Sequence, residues 1–172
     1  KLFGNELPKE SFVYTGSNST QIIILSIISV VFVIYGFLLN KENIKGFIKI
    51  IKDSGRAPSD FVIKYGVGPT LINMGLAGLL TTLFLLITKA QVSGGLLYAG
   101  YLSVLGFAAF GKQVRSITYI YVGALVCSLL GLFDLTSATI GMCVMLGTAI
   151  SPIGGHYGMV VGMISILIHL TI

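Results

Sequence analysis

Residues 21–39 read QIIILSIISVVFVIYGFLL, with no charged side chain from one end to the other. As a helix rising 1.5 Å per residue, this stretch reaches about 28 Å, close to the roughly 30 Å of a bilayer's hydrocarbon core. It is apolar on every face, which a water-exposed helix cannot be. Asn40 and Lys41 close it at a water boundary. The reading is a transmembrane helix.

The rest of the chain suits the same solvent. Of 172 residues, 55% are hydrophobic and only 10% charged, and the mean hydropathy is +0.95. A soluble domain carries about a quarter charged residues, so this chain has too few to cover a water-facing surface. Its 22 glycines fit helices that approach closely in lipid. The expected fold is all-α: a polytopic integral membrane helical bundle with broken or re-entrant helices and one surface amphipathic helix. Residues 1–20 form a polar extramembrane segment, in which Asn18-Ser19-Thr20 reads as a helix N-cap region. Residues 21–172 form the membrane domain. The chain starts without methionine and stops inside an apolar run, so a fragment of a longer protein is expected.

Further spans are expected at 69–88, 95–110 and 117–133. Between the first two spans, Ile44, Phe47, Ile48 and Ile51 share one helical face while Lys41, Lys45 and Lys49 repeat on another. That pattern predicts a helix lying in the membrane surface, with packing on neighbouring spans as the alternative. Gly55 and Pro58 end it. Residues 136–172 are broken by Ser151-Pro152-Ile153-Gly154-Gly155. The piece before this break is about 14 residues, or roughly 21 Å, which predicts a re-entrant half-helix or a span starting in the interface.

The net charge of +5 comes from eleven basic and six acidic residues. Six of the basic residues fall between positions 41 and 64, the mark of a cytoplasmic loop facing anionic lipid rather than of a nucleic-acid surface. Lys112 and Arg115 then fall on the same side, the N-terminus lies outside, and Lys89 alone breaks the rule. The expected location is the bacterial plasma membrane, multi-pass, with the lipid bilayer as partner.

Two interruptions carry the functional reading: residues 65–73, YGVGPTLIN, and residues 150–157, ISPIGGHY. A broken helix in lipid frees backbone groups that only protein or a watery cavity can satisfy. Transporters use such breaks to aim helix ends at a solute. Gly68, Pro69, Asn73, Ser151, Pro152, Gly155 and His156 are therefore the expected solute-binding residues. If they form a site, the two breaks lie on one membrane face within about a solute's width of each other. Breaks on opposite faces, or separated by an intact helix, favour a scaffold instead.

Other chemistry is poorly served. His156 and His169 are too far apart for a metal pair and have no ligand-spaced neighbours, so neither metal nor cofactor is expected. Cys127 and Cys143 read as small buried residues. No nucleophile elbow, Walker loop or dinucleotide fingerprint appears, which leaves only a weak enzyme reading on Asp134 or His156. Gly154, Gly158 and Gly162, like Gly123, Cys127 and Gly131, recur every four residues and mark close helix contacts, internal or in a homo-oligomer.

Three stretches, residues 68–76 (GPTLINMGL), 106–112 (GFAAFGK) and 147–155 (GTAISPIGG), resemble in sequence and order a bacterial family of polytopic membrane proteins of unknown function. The resemblance implies a longer parent protein and no assigned activity. The run Asn73-Met74-Gly75-Leu76-Ala77-Gly78 also looks faintly like the pore motifs of urea channels. The leading expectation is a transporter or channel for a small solute. The competing one is a membrane scaffold or assembly subunit.

Overall fold

The computed structural model describes residues 18–56, 59–91 and 96–171. The polar segment ahead of Asn18, Pro58 and the expected Gly95 start of the third span lie outside them. Among the described residues every regular element is helical. In order these are α1 (Asn18–Leu39), α2 (Asn43–Lys52), α3 (Phe61–Tyr65), α4 (Val67–Thr88), a π turn (Leu96–Tyr101) and α5 (Leu102–Phe107). There follow α6 (Val114–Leu129), α7 (Ala138–Gly147), a 3-10 turn (Thr148–Ile150), α8 (Ser151–Tyr157) and α9 (Met159–Thr171). Among the described residues three helices are long and apolar enough to cross a membrane, Ser19–Leu39, Val67–Thr88 and Ala138–Tyr157; Val114–Leu129 and Met159–Thr171 are shorter apolar helices.

Glycine sets how these helices meet. Gly75 of α4 lies against Ser29 and Val33 of α1, and Gly36 of α1 lies against Gly68 and Ile72 of α4. These pairings run in opposite senses along the chain, so the two helices are antiparallel, and a Cβ at either glycine would collide. Between α4 and α6 the register runs in the same sense. Asn73 meets Val114, Thr81 meets Tyr121 at 2.8 Å, and Phe84 stacks on the Tyr121 ring at 4.4 Å. Tyr119 against Gly162 and Gly123 against Ile166 make α9 parallel to α6.

The result is three hairpins. α1, α5 and the α7–α8 segment run one way; α4, α6 and α9 run back. All three turns lie at one end of the molecule, and each contains a glycine with positive φ: Gly66 at 91°, Gly111 at 83° and Gly158 at 99°. With ψ of 168° and 173°, Gly66 and Gly158 share a conformation open essentially to glycine alone. At the opposite end, the Gln91 N–H donates to the Thr136 carbonyl at 2.9 Å and ties two connections together.

Several sequence expectations need correction. The helix expected from Pro69 begins at Val67. Proline sits in its first turn, where the missing N–H costs nothing, and Gly66 makes the break. The break expected at residues 151–155 is no break. The chain keeps its direction through the 3-10 turn and Pro152, and reverses at Gly158. The expected short half-helix is therefore a 20-residue segment, about 30 Å long. The span expected at 117–133 is α6, shifted three to four residues earlier.

Helix α2 packs one face on its neighbours and leaves the other exposed. Phe47 and Ile50 are buried against its neighbours and Gly46 abuts Pro69, while Ile44, Ile48 and the lysines stay exposed. The glycine repeats are largely used inside the chain: Gly154 packs on Gly162, and Gly123 packs on α9. Gly158 is the hinge of a turn, and Gly131 follows the end of α6. Cys127 is buried and Cys143 partly so, and both are free thiols.

Candidate functional site at the turn end

Where the three turns meet, the chain buries polar side chains. Asn73, Lys112, Gln113, Ser116, Thr148 and Ser151 are each between 0 and 2% exposed. They come from four elements: α4, the α5–α6 turn with the start of α6, the 3-10 turn and α8.

Asn73 fixes the first side of this hub. Its amide nitrogen donates to the carbonyls of Ala108 at 2.7 Å and Lys112 at 2.8 Å, and its Oδ1 accepts from the Val114 N–H at 3.2 Å. The last of these satisfies an N–H that α6 leaves open at its N-terminus. Every polar atom of the side chain is thus engaged with the 108–114 turn.

The second side is reached from the same turn. Gln113 donates to the Asp53 carbonyl, and Ser116 Oγ lies 3.2 Å from Ser151 Oγ. Arg115 donates through Nη2 to Asp53 O at 3.2 Å and Gly155 O at 3.3 Å, while its Nε is buried without a partner. The Asp53 carboxylate is occupied elsewhere, by Lys64 Nζ at 2.6 Å, the Tyr65 hydroxyl at 2.5 Å and the Gly55 N–H at 2.9 Å. Burial alone would raise its pKa, but these hydrogen bonds outweigh it and hold the carboxyl below its ordinary value.

Lys112 is the centre of charge. Its Nζ donates to Thr148 Oγ1 at 2.9 Å and to the Ser103 carbonyl at 3.4 Å, and lies 5.0 Å from the Phe107 ring centroid. Among the described residues, neither ion pair (Lys45–Glu42 or Lys64–Asp53) includes it. Burial lowers its pKa to about 8, because an ammonium out of water loses hydration that dipoles only partly replace.

Of the seven residues singled out from sequence, Asn73, Ser151 and Gly155 come together here. Gly68 and Pro69 are buried a turn away, against Asn43 and Gly46 of α2. Pro152 is half-buried. His156 is exposed, its ring edge-on to Tyr157 at 4.6 Å, and takes no part. Residues 65–73 and 150–157 lie at the same end, and the 108–116 stretch stands between them, bonded to both.

Sequence reading missed Lys112, Gln113, Ser116 and Thr148. The available signal is the run Gly111-Lys112-Gln113-Val114-Arg115-Ser116, which holds four polar side chains in six residues between two apolar stretches. The remaining candidates lie apart from the hub. His169 borders Gly147. The Asp134 carboxylate closes on the Thr136 N–H at 2.9 Å, beside a groove of about 450 Å³ at the opposite end. Among the described residues no group of three or more His, Cys, Asp or Glu gathers for a metal.

Fold and hub together define a class: among the described residues, an all-helical arrangement with three membrane-length apolar helices and an interior polar cluster at the end where its hairpins turn. The chain belongs to the family described as Protein of unknown function (DUF1576), which matches residues 39–172 and so takes in every hub residue. No curated protein and no solved structure matches it.

Proposed function

We propose that this protein is a polytopic membrane transporter or channel for a small solute, and that the hub around Lys112 is where the solute binds. The carrying observation is the placement of polarity. Ile23, Ile27, Ile34, Leu83, Leu86 and Ile164 face outward, whereas an ammonium, two amides and three hydroxyls are buried inside. Ionisable groups within membrane bundles are costly and are retained at solute and ion pathways. The basic residues at the turn end support a reading in which that end faces the cytoplasm of a bacterial cell and the N-terminus lies outside.

A second reading, a scaffold or assembly subunit, draws on a different observation. Asn73, Gly68 and Pro69 are consumed by helix packing, and the start of α6 fills the space between the two interruptions. Flux separates the two readings. The full chain, reconstituted in liposomes and screened with small carboxylates, phosphate, urea and glycerol, passes at least one of them faster than protein-free liposomes. Equal rates for every solute favour the scaffold.

A further inference from the structure

We infer that the solute is an anion, and that the Lys112 ammonium holds its negatively charged oxygens. This inference rests on the transport reading and names its substrate class.

The hub has donors in excess. Lys112 brings an ammonium and Arg115 a guanidinium, and the acceptors they reach are neutral: Thr148 Oγ1 and the carbonyls of Ser103, Asp53 and Gly155. The one carboxylate of the adjoining loop, Asp53, is turned away to Lys64, Tyr65 and Gly55. Arg115 Nε has no acceptor at all, although it is buried. A buried charge without a counter-ion is expensive. A ligand with negatively charged oxygens supplies the counter-charge that the neutral acceptors lack, whereas a neutral solute offers at most another acceptor. Carboxylate and phosphate groups have that chemistry.

Among the described residues no titratable group bonds the Lys112 ammonium, and His169 of α9 borders Gly147, next to Thr148. α5 presents Ser103 and Phe107, the 3-10 turn Thr148, and α4 Asn73, which bonds the lysine's carbonyl. The charged groups closest in the network are Arg115 on α6 and Asp53, whose carboxylate is already paired. An ammonium whose pKa lies at about 8 rather than near the ordinary lysine value loses its charge between pH 7 and pH 9, over which free carboxylates stay ionised.

The test is thermal stabilisation of the detergent-purified full chain by acetate, succinate and inorganic phosphate, with urea and glycerol as neutral probes. At least one anion raises the melting temperature saturably at constant ionic strength. The apparent affinity falls about tenfold from pH 7 to pH 9, as the protonated fraction of a group with a pKa near 8 requires. Lys112→Gln abolishes the response, Lys112→Arg keeps part of it, and Lys49→Met, which alters an exposed lysine of α2, leaves it intact. The wild-type pH series carries the test even where Lys112→Gln does not fold. Stabilisation by neutral probes alone, by no probe, or by an anion with the same affinity at both pH values overturns the inference. Flux confined to a neutral solute sinks the anion assignment and leaves transport standing. Anion binding without flux does the reverse.

Discussion

The Lys112 ammonium lies 2.9 Å from Thr148 Oγ1, a contact that joins the turn between the second pair of helical legs to the 3-10 turn of the third. Thr148 accepts this bond while donating its own proton to the Met145 carbonyl at 2.6 Å. One hydroxyl thus meets a buried donor and stays satisfied. Thr148→Val keeps the volume and removes the acceptor. The expected result is a loss of about 1–3 kcal/mol of stability at pH 7, shrinking at pH 9 as Lys112 loses its proton. Denaturation of the purified protein at the two pH values measures it, and equal losses at both would show that Lys112 does not change its charge between them.

Asn73 carries more of the assembly than its single side chain suggests. Asn73→Ala strands two carbonyls and an N–H in the interior, for an expected cost of about 2–4 kcal/mol. Asn73→Asp keeps the acceptor and loses both donors, so it is no milder than alanine. Thermal denaturation in detergent checks this, and an aspartate variant as stable as wild type would contradict the clamp.

Gly66 and Gly158 predict a matched pair of substitutions. Nothing surrounds the Cβ position at either, so alanine brings no clash, only a backbone strain of about 1–3 kcal/mol. Gly75→Ala meets the backbone of Ser29 and the Val33 side chain instead, and is expected to be worse than either. Melting temperatures of the three variants give the order directly.

Asp53 supplies a pH dependence of known sign. Its folded pKa is lowered, so its contribution is present above the ordinary carboxyl value of 3.8 and is lost as pH falls through the folded one. Removing the Lys64 and Tyr65 partners, as Lys64→Met with Tyr65→Phe, flattens the stability–pH curve on the acid side. An unchanged acid limb would mean that the pair does not hold the loop.

The all-helical fold was legible because an apolar run such as residues 21–39 admits one solution in lipid, and because the basic residues cluster. The positions of the turns were harder to see. Pro69 marks a helix start, as expected, but Pro152 sits in the first turn of α8 and not in a break; its fixed φ fits a helix, and glycines at 66 and 158 turn the chain. Asn73 and Ser151 could be singled out because polar residues are rare in apolar segments. Lys112 could not, because a lysine in a short loop reads as a solvent-facing charge, and only the convergence of three hairpins buries it.

Whether the hub is a site or a packed core turns on water, and Ser151 reports it. It is fully buried and 3.2 Å from Ser116 on the far side of the Lys112 turn. Ser151→Cys is placed in a background where Cys127 and Cys143 are alanine, and the full chain is reconstituted in liposomes. The measurement is the rate at which a small, charged, water-soluble methanethiosulfonate modifies the new thiol. The account predicts modification within minutes, slowed by a bound anion and blocked when the reagent is confined to the face opposite the turns. A thiol that stays inert in the folded protein and reacts only after denaturation would contradict it, and would leave the hub as the packed joint of a scaffold.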